Sequence, residues 1–265
     1  MIQVTAGISG RTPRGKGMGQ AEMTHQGPAS SLAQNERRLA DALVTLASTP
    51  DDHSAVEDQL VTIAQLTAQR VAAVSYASVT ARREGAYSTV AASNDIAVAV
   101  DQAQYAEQAG PCLEIFETAR PLFVPDVAAT MRWPGFRETA YRLGLHTSLS
   151  VPLFAGRGEP VAALNLYGHD STTMAVLTAA VWAAYDDTAA AGPMTVGLDP
   201  GGTELVEGLT GAFQVRALIQ QAIGIVIAEQ HSTPGSAYTT LRLRAADSEA
   251  SLLDVANAVI GDRPD

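Results

Sequence analysis

Leu32, Leu39, Leu43 and Leu46 recur at helical spacing until Pro50, Asp51 and Asp52 break the pattern, which predicts a first amphipathic helix. Leu60, Ile63, Ala64, Leu66 and Val71 repeat that period, with Ser54 placed as an N-cap and Glu57 as its capping-box partner. The period then shortens. Residues 74–80 and 87–92 are strand-like and flank Arg82-Arg83-Glu84-Gly85, a hairpin signal. Residues 121–124, 147–154 and 161–167 are also β-rich, the last two joined by Ala155-Gly156-Arg157-Gly158-Glu159. A helical pattern over 174–190 closes the series. Helices first, hairpin strands between and a helix last predict an α+β domain around an antiparallel sheet.

Two stretches fall outside these patterns. Residues 1–33 are rich in Gly, Ser, Thr, Gln and Pro without a sustained period and read as a flexible leader. Residues 191–203 contain Gly192-Pro193 and Asp199-Pro200-Gly201-Gly202 and read as a joint. Beyond the joint the chain is helical over 209–228, 236–246 and 252–260, with Ser232 or Thr233 capping the second helix and Pro234 in its first turn. The predicted organisation is a leader at 1–33, an α+β domain at 34–190, a joint at 191–203 and an all-α three-helix domain at 204–262. Three short helices are close to the smallest self-sufficient core, so this module is expected to lean on a partner or a second copy.

Composition agrees with folded domains: 46% of the 265 residues are hydrophobic and 17% charged. The formal charge is -11, so binding to a polyanion requires a local patch and not bulk attraction. Residues 204–265 hold 4 Arg against 8 Asp and Glu. The single cysteine, Cys112, excludes an internal disulfide and a thiolate zinc cluster, in keeping with a reducing, cytoplasmic setting. Apolar runs such as 176–184 are too short to span a bilayer, and Arg11, Arg14 and Lys16 precede no apolar core of a secretory signal. No membrane partner is expected.

Five ordered motifs resemble a GAF domain of the actinobacterial regulatory type: Gln104-Tyr105 with Ala109-Gly110-Pro111-Cys112-Leu113; Val124-Pro125-Asp126; Trp133-Pro134; the run from Gly144 to Leu153; and Ala163-Leu164-Asn165-Leu166-Tyr167. The C-terminal part resembles an ANTAR domain, the RNA-binding module of transcription antiterminators. Its matching residues are Arg216, Ile219-Gln220-Gln221-Ala222, Gly224-Ile225, Ala237-Tyr238, Leu241-Arg242, Ala245, Leu252 and Asp254-Val255-Ala256. Two departures stand out: Ile223 where the family pattern has Lys, and Glu249-Ala250-Ser251 where Asn and basic residues are usual.

The resemblance to GAF domains implies a small ligand held between sheet and loops, and names Tyr105, Cys112, Trp133, Phe136, His146 and Ser148 as candidate pocket residues. No cofactor is specified. Cys112 beside no cation reads as a small core residue, and lone histidines such as His146 and His169 read as core or rim residues, not ligands to metal or haem. Asp101, Glu107, Glu114 and Asp126 have no companion nucleophile and read as solvated carboxylates. Asp51, His53 and Ser54 mimic a triad only in composition, being adjacent in sequence. Catalysis is not expected.

The resemblance to ANTAR domains implies RNA contacts from Arg216, Gln221, Tyr238, Arg242 and Arg244. Tyr238 and Arg242 are four apart, so ring and guanidinium share a helix face and either meet an unpaired base or belong to core and surface pairs. Ile219, Ala222, Ile223, Val226 and Ile227 form an apolar stripe, in which Ile223 either extends a helix contact or stands exposed. Together the two resemblances imply a homodimeric regulator whose sensor answers a small molecule or an upstream signalling protein. Its output is antitermination through paired RNA stem-loops, with helix pairing over 205–217 as the switching element. The alternative is a sensing or protein-interaction regulator that no longer binds RNA.

Overall fold

A computed structural model describes residues 38–51, 53–185 and 196–261, and the side chains of these except for residues 53–55. The leader expected at 1–33 and residues 191–195 of the expected joint lie outside the described residues.

Helix α1 (Leu39–Ser48) buries Leu39, Leu43 and Leu46, the stripe its spacing predicts. Helix α2 (His53–Arg70) begins one residue before the expected cap, and the Glu57 carboxylate pairs with Arg83 at 3.1 Å. Strands β1 (Tyr76–Arg83) and β2 (Ala86–Ala92) form the expected hairpin around Glu84-Gly85. Helices α3 (Asp95–Glu107) and α4 (Pro111–Thr118) follow, then β3 (Leu122–Val124), α5 (Pro134–Arg142), β4 (Thr147–Phe154), β5 (Pro160–Gly168) and α6 (Ser171–Tyr185). Pro111 and Pro134 each open their helix at the first turn, where a missing N–H costs nothing.

The five strands form one antiparallel sheet in the order β2-β1-β5-β4-β3. Alternation along the strands separates its faces. Val79, Leu149, Val151, Leu164 and Leu166 point toward a core completed by α1, α2 and α6. The opposite face meets α3 and α4, with α5 at one end.

The helix after the expected joint starts earlier than its apolar pattern predicts. Helix α7 (Pro200–Gln230) starts inside the Asp-Pro-Gly-Gly sequence because Asp199 accepts from the Gly201 N–H at 3.0 Å and Pro200 occupies the first turn. Asp199 also accepts from Ala72 N–H at 3.2 Å, tying this start to the end of α2. The first part of α7 buries Leu205, Val206 and Leu209 in the sheet-side core. The later part buries Val215, Ile219, Ala222, Ile223 and Val226 in a second core with α8 (Pro234–Ser248) and α9 (Leu252–Gly261). Thr233 caps α8, its hydroxyl accepting from Ser236 N–H at 3.2 Å.

Over 205–217, the stretch expected to pair between two copies, α7 packs on α1 of its own chain: Gly208 meets Ala40, and Gly211 meets Val44. Phe213 stands edge-on to Phe154 and Tyr185 at 6.0 and 5.0 Å between ring centres. By length and composition alone α7 is long and apolar enough to cross a membrane, although charged and polar residues interrupt its apolar runs. Its apolar residues are divided between the two cores. The sheet-side core and the second core thus share one continuous helix.

Candidate ligand core and nucleic-acid interface

On the α3/α4 side of the sheet, Ser78 (β1), Asn165 (β5) and Ser150 (β4) occupy one cross-strand row. Asn165 is the hub. Its Nδ2 lies 3.2 Å from Ser78 Oγ, 3.0 Å from Thr80 Oγ1 and 3.2 Å from Asp101 Oδ1, and its Oδ1 accepts from Ser150 at 3.0 Å. Asp101 reaches down from α3 and accepts from Tyr167 at 2.6 Å and from Thr89 at 2.8 Å. The Tyr105 hydroxyl meets Thr80 and Thr89 at 2.8 and 2.9 Å. Gln104 accepts from Cys112 N–H at 3.0 Å and donates to Tyr167 at 3.3 Å. The network is buried except at Thr89 and Tyr105, which are half-buried at its edge, and its partners are its own members, the arrangement that makes buried polar groups tolerable.

Asp101 departs from the sequence expectation of a solvated carboxylate: it is fully buried. Its spacing held the signal, because Ala97, Val100, Asp101 and Gln104 lie on one buried helical stripe. Desolvation pushes its carboxyl from an ordinary 3.8 up to about 6, against the opposing hydrogen bonds from Tyr167, Ser78, Thr89 and Asn165. Burial likewise raises the Tyr105, Tyr167 and Cys112 groups, so Cys112 is an unreactive core thiol.

A raised acid binds more protons folded than unfolded, so its contribution is favourable at low pH and declines as pH climbs from about 4 to about 6. Two pKa units correspond to roughly 3 kcal/mol. Asp101→Asn keeps the shape, and its amide donates to Thr89, whose hydroxyl can then donate to Tyr105. In urea unfolding, the stability of Asp101→Asn relative to wild type is expected to rise by roughly that amount between pH 4 and 7. A difference independent of pH would show that Asp101 does not titrate there.

The six residues expected to line a ligand pocket do not converge. Tyr105 and Cys112 border the polar network. Phe136 is buried, and Trp133 beside it donates its indole N–H to Glu114 at 2.9 Å while Arg132 stacks on its ring at 4.2 Å. His146 is exposed, 6.5 Å from the ring of His169, which shares a 2.8 Å hydrogen bond with Ser75. Ser148 is buried with no hydrogen-bond partner for its hydroxyl. The other three acids hold loops: Glu107 accepts from Gly135 N–H, Glu114 from Arg132 and Trp133, and Asp126 from Ala128 and Ala129 N–H.

At the far end of the β4–β5 hairpin the helical module meets the sheet domain. Tyr238 (α8) is buried in the second core, and its hydroxyl donates to Asp51 Oδ1 at 2.9 Å while accepting from Asp51 N–H at 3.2 Å. Burial pushes the phenol up to about 12. Arg242 and Arg157 flank the same carboxylate at 3.6 and 3.3 Å. Arg216 (α7) donates from Nε to the Gly158 carbonyl at 2.9 Å and lies 4.1 Å from the Phe154 ring centre; Gln220 donates to the Arg157 carbonyl. Asp51 therefore serves Tyr238 and two arginines. A cleft of about 240 Å3 beside this contact is lined in part by Asp51, Arg83 and Arg157.

Of the residues expected to touch RNA, Gln221 and Arg244 are exposed, Arg242 is half-exposed, Arg216 is partly covered, and Tyr238 is enclosed, so its ring is not available for stacking in this arrangement. Ile223 is a core residue of the three-helix module and not an exposed apolar spot. Glu249 ends α8 in a left-handed conformation, and Ser251 caps α9 together with Asp254. The second departure from the resemblance therefore lies in a helix–helix turn.

Two family models match the sequence: GAF domain over residues 54–181 and ANTAR domain over residues 207–260. No curated protein is significantly similar to the chain. Among solved structures, the A. aeolicus nlh2 GAF domain in an inactive state is 11% identical, with a TM-score of 0.40, covering 70% of this chain and 98% of that one. A type II free methionine-R-sulfoxide reductase from Thermoplasma acidophilum is 12% identical, with a TM-score of 0.32, covering 48% and 78% respectively.

Proposed function

We propose, from the premise that the chain is a GAF domain followed by an ANTAR domain, that it is a cytoplasmic transcription antiterminator acting on paired RNA stem-loops. Sensing coupled to an RNA-binding output follows from the two domains. The finer reading is supported by one observation above the rest: the ANTAR match coincides with three helices that pack together around Ile219, Ala222, Ile223, Tyr238 and Leu241, with Ala47 of α1 completing the core. Ile223 helps to build that module. The exposed Gln221 and Arg244 extend from it as donors.

With 4 Arg against 8 acids in residues 204–265, one module supplies few phosphate contacts. A pair of modules on one RNA multiplies a weak grip, which is the physical motive for a homodimer and for paired stem-loops. The signal is a small molecule or an upstream signalling protein acting on the GAF domain, and no catalytic step is involved.

RNA retention across salt concentrations tests this reading. Binding should favour tandem stem-loops over a plain duplex and weaken with salt. Arg244→Ala should lower affinity whatever the loop sequence and reduce the log–log salt slope by about 1 per module engaged. Arg244 is exposed, so its loss leaves the cores intact. No retention by wild type or any variant at low salt would replace this reading by a sensing or protein-interaction regulator.

A further inference from the structure

We infer that the GAF domain carries a docking surface that competes with RNA for the ANTAR domain's donor groups, so that the form described here is closed toward RNA. The inference rests on the RNA-binding reading and adds its regulation.

The chemistry of the contact is one-sided. The sheet domain offers mainly acceptors: the Asp51 carboxylate in the α1–α2 turn and the Arg157 and Gly158 carbonyls at the tip of the β4–β5 hairpin. The helical module offers mainly donors: Tyr238 Oη, Arg242, Arg216 Nε and Gln220 Nε2. An RNA backbone presents the same kind of surface, a carboxylate being replaced by phosphate and carbonyls by sugar and base oxygens. Three of the donors, Arg216, Tyr238 and Arg242, are residues that the ANTAR resemblance assigns to RNA.

Rings are covered as well as charges. The Arg157 guanidinium lies 5.5 Å from the Tyr238 ring centre, and Arg242 lies 6.0 Å from it. The fit is close at the hairpin: a side chain at Gly156 would place its Cβ 2.1 Å from the Tyr238 hydroxyl. A phosphate brought to Arg242 while Asp51 remained in place would sit beside a like charge. RNA and Asp51 are thus alternative occupants of one site.

The ion pairs of the contact are weak enough to be exchanged. The arginines that flank Asp51 are about half-exposed, at 43% and 52%, and such pairs contribute little in water. Modest contacts of this kind suit a two-state equilibrium that a ligand with a differential affinity of tenfold to a hundredfold can shift.

The test uses the full chain and a pool of synthetic RNAs, each with two tandem stem-loops of randomised loop sequence. Asp51→Asn removes the carboxylate charge, and Glu117→Gln, on the exposed side of α4, is a control with the same change in net charge. Asp51→Asn should retain the pool at about tenfold lower protein concentration than wild type or the control. A second variant locks the contact. A Cβ at position 158 would lie 3.3 Å from Gln220 Cγ, so Gly158→Cys with Gln220→Cys places two thiols within disulfide reach; Gly158 is at φ +84°, where a cysteine is strained, so the reduced double mutant is the reference. Cys112 is buried and does not compete.

Oxidised, the double-cysteine protein should retain less than a tenth of the RNA that its reduced form does. Equal retention by Asp51→Asn and the control, with no effect of oxidation, would overturn the docking proposal and leave RNA binding standing. Absence of retention by every form at low salt would overturn the RNA-binding reading itself, and the proposal with it.

Discussion

Asn165→Ala is expected to lower the stability of the protein by about 4 kcal/mol at pH 7. Three losses combine. Ser150 is left with a buried hydroxyl whose acceptor is gone, and Ser78 and Thr80 lose the amide that faced them. Asp101 loses one of the hydrogen bonds that favour its ionised form, so its carboxyl moves up further from about 6. A cavity then remains in a central strand flanked by β1 and β4. Because the carboxylate is less ionised at low pH, the loss should be smaller at pH 5 than at pH 7.5. Urea unfolding at the two pH values measures both. A loss below about 1 kcal/mol would mean that water or neighbouring hydroxyls replace the amide.

Gly208→Val should be almost as damaging, by about 3 kcal/mol or more. A Cβ at 208 would lie 2.6 Å from the Ala40 Cα and 3.1 Å from its carbonyl oxygen. Backbone on the facing helix cannot rotate away as a side chain can, so α1 and α7 must separate and uncover Leu43 and Leu209. The sign is diagnostic in the milder variant. Gly208→Ala adds about 1 kcal/mol of helix propensity, yet it should still lower the melting temperature, because even one methyl reaches Ala40. An increase would show that the two helices have room to move apart.

The period of the apolar residues made most of the fold legible. Leu39, Leu43 and Leu46 behave as their spacing predicts, and so do the β1–β2 and β4–β5 hairpins with their Gly-containing turns. The start of α7 was not legible. Asp-Pro-Gly-Gly is a turn sequence in isolation, and it becomes a capped helix end only where Asp199 also finds Ala72 N–H across the chain.

The polar core was half legible. Asn165 and Tyr167 stood in a recognised motif, but their role depends on Ser78, Thr89 and Asp101 arriving from three other elements. Asp51 was the least legible: a helix-ending aspartate in the sequence, it meets Tyr238 187 positions later. Pairings of that separation leave no local pattern. Tyr238 and Arg242 were placed on one helix face correctly, since i, i+4 spacing is local, but what covers that face is not.

The unbroken α7 gives the molecule a mechanical property that neither domain has alone. Thirty-one residues make a rod of roughly 45 Å, one end seated under the sheet and the other forming the floor of the output module. A rod transmits rotation and tilt, whereas a loose tether transmits only proximity. Each residue added to or removed from α7 between Leu209 and Val215 would turn the output module by about 100° relative to the sheet. The orientation of the output module is therefore written in the helical phase of α7.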